Sequence, residues 1–345
     1  MKSKKAAGSA VAGDTPSHHS PDGRFRNPWT ADYQGRRDFR DVLRWRMQRM
    51  RDGVPPDPPA GSFPPGTPHV TEDLEAGERA RVTWIGHSSF LVQLAGHNLL
   101  TDPVWSDRVS PVQWAGPRRL APPAVPFDEL PQIHSVLLSH DHYDHLDEPT
   151  VRALHERYGD GIAWLTPLRY AAWLDRRGIR NVIELDWWQS AAAGVGDARI
   201  SVRALPARHW TQRSMRDALQ RLWCSFAVED RHGTRLYFGG DSGYAEFYSE
   251  IGQREARFDV VMLPVGAYEP RWFMAPAHMN PEDAVRAYRD LGGTGMFVPM
   301  HWGTFRLADD PPLEPPVRLA RAWAEAALNP DALWIPRHGD TLRLP

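Results

Sequence analysis

The order of predicted elements places this chain in the α/β class, as two mixed sheets packed face to face with helices on their outer sides. Three observations predict this. Helix-like and strand-like stretches alternate from residue 148 to 185, and a run of strands follows between 198 and 264. Helices then resume at 281–291 and 315–328, with short strands near 296–299 and 333–335. Each half thus has a strand-rich part followed by a helix-containing part, without the fixed period of a solenoid.

Composition narrows the class further. The 345 residues carry 41 Lys and Arg against 43 Asp and Glu, a formal net charge of −2, so overall charge does not draw the chain to nucleic acid. The apolar content, 41%, is ample for a core at this length. No stretch approaches the roughly 20 apolar residues of a spanning helix. The start, Lys2-Ser3-Lys4-Lys5 followed by Ala6 to Ala12, is basic like a signal peptide, but Gly8 and Ser9 leave its small-residue run weakly apolar. A cytoplasmic location, peripheral to a membrane at most, is expected. The lone Cys224 rules out an intramolecular disulfide and suits a reducing compartment; within the strand-like 222–228 it reads as a buried side chain. The 15 tryptophans suit either a core or a ligand groove, and the 32 prolines imply many fixed loops.

Residues 1–25 show no hydrophobic period and are expected to form a disordered tail. An extension, 26–79, follows. In it Arg36 to Arg51 reads as a helix, with Phe39, Val42, Leu43, Met47 and Met50 at helical spacing and seven arginines against Asp38 and Asp41. Either this is a solvated basic face on an ordinary packing helix, or the arginines attract anionic lipid or phosphate. Seven prolines then mark 53–68 as an extended connection.

The main globular domain is placed at 80–345. Its first strands are 82–86 and 89–94, and Gly96-His97-Asn98 turns the chain into a third at 98–103. Residues 103–131 form a long irregular segment holding Trp105, Trp114, Phe127 and the basic turn Gly116-Pro117-Arg118-Arg119. Helices are expected at 148–158 and 168–177, strands at 163–166 and 181–185, and the strand run at 198–205, 223–229, 234–238 and 260–264.

The chemistry centres on Val136-Leu137-Leu138-Ser139-His140-Asp141-His142-Tyr143-Asp144-His145-Leu146-Asp147. A short apolar strand ends in a loop crowded with imidazoles and carboxylates, which repel or stay unsatisfied unless a cation gathers them. His140, His142, Asp144 and His145 are therefore candidate metal ligands. Further ligands belong at the ends of later strands, where His209, Asp241 (after Gly239-Gly240) and His301 each close an apolar run. Taken singly, each is equally a capping or satisfied core residue.

The spacing His140-x-His142-x-Asp144-His145 resembles the signature of the metallo-β-lactamase fold, a four-layer αββα sandwich. Trp84-Ile85-Gly86-His87, Leu100-Thr101-Asp102-Pro103, the 266–274 stretch and His301-Trp302-Gly303-Thr304-Phe305 resemble the branch containing N-acyl-phosphatidylethanolamine-hydrolysing phospholipase D. That resemblance implies two Zn²⁺ ions, with Fe or Mn also compatible with the donors. One ion would be held by His140, His142 and His209. The other would be held by Asp144, His145 and His301, with Asp241 bridging and Asp102 orienting ligands from behind. It also implies catalytic roles for Asp144, Asp241 and His278; the alternative for His278 is a loop histidine before a helix with no catalytic role. Tyr268, Arg271 and Trp272 are candidate substrate contacts or packing residues. The implied reaction releases phosphatidic acid and an N-acylethanolamine. A lactonase or other carbonyl-ester hydrolase on the same metals is the alternative, and a non-catalytic metal-dependent sensor is a third class. The expected partners are a phospholipid or other phosphodiester, a membrane surface met peripherally, and a second copy in a homodimer; no nucleic acid is expected.

Overall fold

The computed structural model describes residues 16–29, 37–71, 73–194 and 196–345. Helix α1 (Phe39–Asp52) precedes strands β1 (Ala80–Gly86), β2 (Ser89–Leu94), β3 (His97–Thr101) and β4 (Ser135–Leu137). Then come α2 (Glu148–Tyr158), β5 (Ala163–Pro167), α3 (Ala171–Asp175), β6 (Val182–Leu185), β7 (Ser190–Ala193), β8 (Ile200–Leu205), β9 (Ser225–Asp230) and β10 (Arg235–Phe238). The chain ends with α4 (Phe247–Arg254), β11 (Val260–Pro264), α5 (Arg271–Met274), α6 (Pro281–Asp290), β12 (Met296–Met300), α7 (Glu314–Glu325) and β13 (Thr341–Leu344).

Seven strands form one sheet in the order β13-β1-β2-β3-β4-β5-β6, and six form the other in the order β12-β11-β10-β9-β8-β7. Both are mixed. The β3-β4-β5-β6 ladder and the β10-β11-β12 ladder are parallel, while β1-β2-β3 and β7-β8-β9-β10 are antiparallel. Every residue of β1, β2 and β3 is buried, as strands covered on both faces must be. Trp84, Phe226, Tyr237 and Val260 belong to the cluster that fills the space between and behind the sheets. A second cluster, with Leu100, Leu138, Leu154, Trp164 and Trp173, fastens α2 and α3 to the first sheet. Tyr248, Tyr288 and Trp323 hold α4, α6 and α7 on the second. Helices thus cover two stacked sheets, the four-layer arrangement expected.

Several elements depart from the sequence expectation. The 168–177 helix contracts to α3, and residue Leu333 makes only an isolated bridge to Phe297 where a strand was expected. β7, α4 and β13 were not anticipated. β13 is four residues long, and it exists because Thr341 to Leu344 pair across the sequence with Thr83 to Ala80. Residues 1–15 of the expected tail lie outside the described residues. From Pro16 the chain is docked: Phe25 is buried, its amide donates to the Leu219 carbonyl, and His18 and His19 both meet the Asp186 carboxylate, at 2.6 and 2.8 Å. One buried aromatic and one doubly used carboxylate are enough to anchor a segment with no periodicity. Finally, no residue of α1 is buried.

Two histidines that are not among the candidate ligands make stability depend on pH. His97 lies between the Ala198 carbonyl and Ser135 Oγ, at 2.9 and 2.8 Å. Burial, and then the neighbouring His134, hold it down at about 4, and burial with the Arg119 charge holds His338 at about 4. An unfolded histidine takes its proton near 6.5, so the stability that these neutral rings contribute is complete above about 6.5 and is lost as pH falls toward about 4. Each contributes up to roughly 3 kcal/mol. In urea titrations between about pH 7 and about pH 4, His97→Gln is expected to show a shallower decline in midpoint than wild type. Parallel declines would remove His97 from this account.

Candidate metal centre

The site is assembled where strands of both sheets end. β4 delivers the 139–147 loop, β8 leads to His209, β10 to Asp241 and β12 to His301. Two glycines make the convergence possible. A Cβ on Gly240, whose φ is +56°, would sit 2.6 Å from the Ser139 Cβ, and one on Gly266 would sit 2.0 Å from the His301 carbonyl oxygen. Neither neighbour can give way, so only glycine lets these turns approach. His301 itself has φ +63°, and Asp102 has φ +33°.

The side chains form two groups. In the first, His142 Nδ1 lies 3.0 Å from His140 Nε2 and 3.1 Å from His209 Nε2. In the second, Asp144 Oδ2 is 3.3 Å from both His145 Nε2 and His301 Nε2. Asp241 Oδ2 completes that group at 3.2 Å from His145 Nε2 and 3.0 Å from His301 Nε2. The same oxygen is 3.9 and 3.8 Å from His140 Nε2 and His209 Nε2, so it lies between the groups. Donors held about 2.0–2.1 Å from a tetrahedral ion stand roughly 3.3 Å apart, close to these separations.

The donor set fits a divalent cation on a second ground. His145 Nε2, His301 Nε2 and Asp241 Oδ1 are buried with no hydrogen-bond partner among the described residues. Buried polar atoms without partners are costly, and several aimed at one point call for positive charge there. The titration directions agree. Burial alone would lower His301, yet the Asp241 and Asp144 carboxylates carry it up to about 9. Burial also opposes the charge on His145, but Asp241, Asp144 and Asp102 hold it well above the usual imidazole range. The same contacts keep Asp144 and Asp241 well below the usual carboxylate range, against the effect of burial. In the first group, burial and the neighbouring imidazoles drive His140 well down. Burial also brings His142 to about 4, leaving nitrogens free to ligate.

A supporting layer sets which nitrogen faces the cluster. Asp102 Oδ2 lies 2.7 Å from His145 Nδ1, and Asp102 also accepts from the Ser139 amide at 2.7 Å and the Ser139 hydroxyl at 2.5 Å. His140 Nδ1 meets Ser139 Oγ at 2.9 Å, and His209 Nδ1 meets the Ala277 carbonyl at 3.0 Å, so both rings present Nε2. Asp141, beside the candidates, is buried and accepts from Arg221 and the Gln212 amide, which pins the 210–221 segment over the site.

All seven predicted donors therefore come together, and His278 joins them. Its Nδ1 lies 3.8 Å from Asp241 Oδ2 and has no hydrogen-bond partner among the described residues. Burial holds it at about 4, so the ring is neutral near pH 7. The three predicted substrate contacts do not converge on this point. Tyr268 is fully buried and donates to Glu314 at 2.7 Å. Arg271 pairs with Asp283 and donates to the His278 carbonyl at 3.0 Å, so it shapes the His278 loop instead of reaching into the cluster. Trp272 packs beneath α1, its indole donating to Gln48.

One residue escaped the sequence reading. His87, at the turn between β1 and β2, places Nε2 2.9 Å from Asp144 Oδ2 and its ring 4.1 Å from that of His301. Burial brings it to about 3, which makes it a neutral donor able to fix the Asp144 carboxylate. It closes the Trp84-Ile85-Gly86-His87 stretch that carries part of the resemblance, but no role was attached to it there.

Two buried His/Asp groups at the strand ends of a two-sheet sandwich define a metal-dependent hydrolase of the metallo-β-lactamase fold. The chain belongs to the beta-lactamase superfamily: residues 97–302 match the beta-lactamase superfamily domain. An uncharacterized protein of Mycobacterium tuberculosis is 44% identical over 269 residues, covering 76% of this chain and 69% of its own. The N-acyl-phosphatidylethanolamine-hydrolyzing phospholipase D 1 of Caenorhabditis elegans is 37% identical over 244 residues, covering 68% of this chain and 67% of its own. Among solved structures, the isothiocyanate hydrolase from Delia radicum gut bacteria superposes with a TM-score of 0.60 at 22% identity, over 76% of this chain and 98% of that one.

Replacing His87 tests the supporting layer. His87→Ala is expected to lower metal affinity about 10–100-fold, read by competition with a coloured chelator, with little change in thermal midpoint of the metal-free protein. Unchanged affinity would leave His87 a packing residue.

Proposed function

We propose that this chain is a dinuclear zinc phosphodiesterase of phospholipase D type, which cleaves N-acyl-phosphatidylethanolamine-like lipids to phosphatidic acid and N-acylethanolamine. The position of Asp241 Oδ2 between two nitrogen-rich groups carries the dinuclear part. One ion would be held by His140, His142 and His209, the other by Asp144, His145 and His301, with Asp241 shared. Nitrogen and carboxylate donors without thiolate suit Zn²⁺, and Fe and Mn are the other ions these donors accept. When bound, such a pair of ions supplies Lewis-acid polarisation of a phosphoryl oxygen and a water acidic enough to attack near neutral pH.

The chain's own residues do the rest. Asp144 and Asp241 fix the direction from which water approaches phosphorus. The new P–O bond forms as the bond to the ethanolamine oxygen breaks, and that oxygen leaves with the electron pair and takes a proton. His278 is the group placed to pass it: neutral, with a free nitrogen on the Asp241 side, it is a hydrogen-bond donor and relay and carries no standing charge. The lipid substrate is supported by two relatives bearing the N-acyl-phosphatidylethanolamine-hydrolyzing phospholipase D name, from C. elegans and Saccharomyces cerevisiae, at 37% and 30% identity. The single, buried Cys224 fits a reducing compartment, and we place the enzyme in the cytoplasm.

Incubation with N-acyl-phosphatidylethanolamine, followed by mass spectrometry, should show both products. EDTA should abolish turnover and Zn²⁺ restore it. His278→Ala should lower kcat by about 10²–10⁴-fold while metal content stays unchanged. Turnover of lactones with no release of N-acylethanolamine would sink the phosphodiesterase reading and favour a carbonyl hydrolase.

A further inference from the structure

Helix α1 is amphipathic with its sides reversed for a packing helix. Phe39, Leu43, Met47 and Met50 are 79%, 44%, 51% and 79% exposed. At 3.6 residues per turn they share an arc of roughly 80°. Arg46 and Arg40 stand roughly 20° beyond its two edges, both exposed and without an ion pair among the described residues. The opposite side does the docking, through polar and aromatic groups. Trp45 stacks on Phe273 with ring centroids 4.8 Å apart and donates to Asp309. Arg49 pairs with Asp309 at 3.1 Å, Gln48 accepts from Trp272 at 3.0 Å, and the Arg44 guanidinium lies over the Trp272 ring at 4.3 Å.

We propose that α1 is an interfacial docking helix, which lays this stripe on an anionic phospholipid surface. A narrow apolar stripe bordered by arginines suits the boundary between acyl chains and head groups, where long cationic side chains lie along apolar surface and reach outward to phosphate. The helix holds five arginines against Asp41 and Asp52 in a chain of net charge −2, so positive charge is concentrated here and matches an anionic partner. The location also serves the active site. α1 rests on α5, whose last residue, Met274, accepts the His278 amide at 2.9 Å. Docking would therefore bring the His278 side of the site to the surface where lipid substrates lie.

This inference extends the phospholipid reading, and its test is separable from it. The whole chain is sedimented with phosphatidylcholine vesicles, with and without phosphatidylglycerol. Neither lipid is N-acylated, so the result does not depend on turnover of such a substrate. Wild type should bind the anionic vesicles and release as salt rises. Both the Leu43→Asp/Met47→Asp and the Arg40→Glu/Arg46→Glu variants should bind at least about tenfold more weakly, with unchanged metal content and thermal midpoint. All four side chains are exposed and outside the metal cluster, so the fold is expected to survive. Wild-type indifference to anionic vesicles, or full binding by both variants, would overturn the proposal. So would conversion of a dimer to a monomer by Leu43→Asp/Met47→Asp, seen by light scattering, since that result assigns the stripe to a second copy.

Discussion

Everything at this site follows from one electrostatic constraint: carboxylates and imidazoles are crowded into a volume that solvent hardly reaches. Asp241 is 3% exposed, yet its Oδ2 faces five imidazoles within 3.9 Å and its Oδ1 has no partner among the described residues. Such a group is costly unless positive charge sits among it. His145 and His301, held in their protonated range between the carboxylates, mark where that charge is wanted. A divalent ion satisfies the same field with shorter contacts and without a proton, so the donors are spaced as ligands.

Keeping these donors together demands rigid backbone, and the fold supplies it by ending strands of both sheets at one edge. The support is redundant. Asp102 comes from the end of β3 and binds both Ser139, on the ligand loop, and His145. The His209 ring is fixed by a carbonyl from the His278 loop. Gly240 and Gly266 remove side chains that would otherwise hold the turns apart. Asp144, His145 and His209 are therefore set by residues remote in sequence, so damage to the supporting layer is expected to act on affinity before it acts on folding.

Legibility in sequence follows the same divide between local and remote. His140, His142, Asp144 and His145 were legible because their pattern is contiguous. His209, Asp241 and His301 were legible as polar residues ending apolar runs. The role of His87 was not, because the Trp84-Ile85-Gly86-His87 stretch supports a resemblance without assigning its histidine a task, and only β1 and β12 place that ring beside Asp144 and His301. Tyr268 and Arg271 had suitable chemistry for substrate, but their polar groups are taken by Glu314, Asp283 and the His278 carbonyl, partners that no local pattern reveals. β13 and the docked 16–29 segment were missed for the same reason, since each is stabilised by pairing across much of the chain.

Periodicity located α1 but could not say which of its sides is covered. An apolar stripe normally predicts a core partner, and here the covered side is instead the one carrying Trp45, Gln48 and Arg49. The division of labour along the chain explains why that matters. All seven candidate ligands fall inside residues 97–302, the stretch matched by the superfamily, and α1 lies outside it. The matched stretch holds the candidate metal site, and none of Tyr268, Arg271 and Trp272 extends from it to the cluster. On the proposed reading, elements outside that stretch would decide what surface the site is brought to. On the proposed docking, a helix that turns apolar and cationic groups outward while resting on Trp272 and Phe273 would select substrates by location.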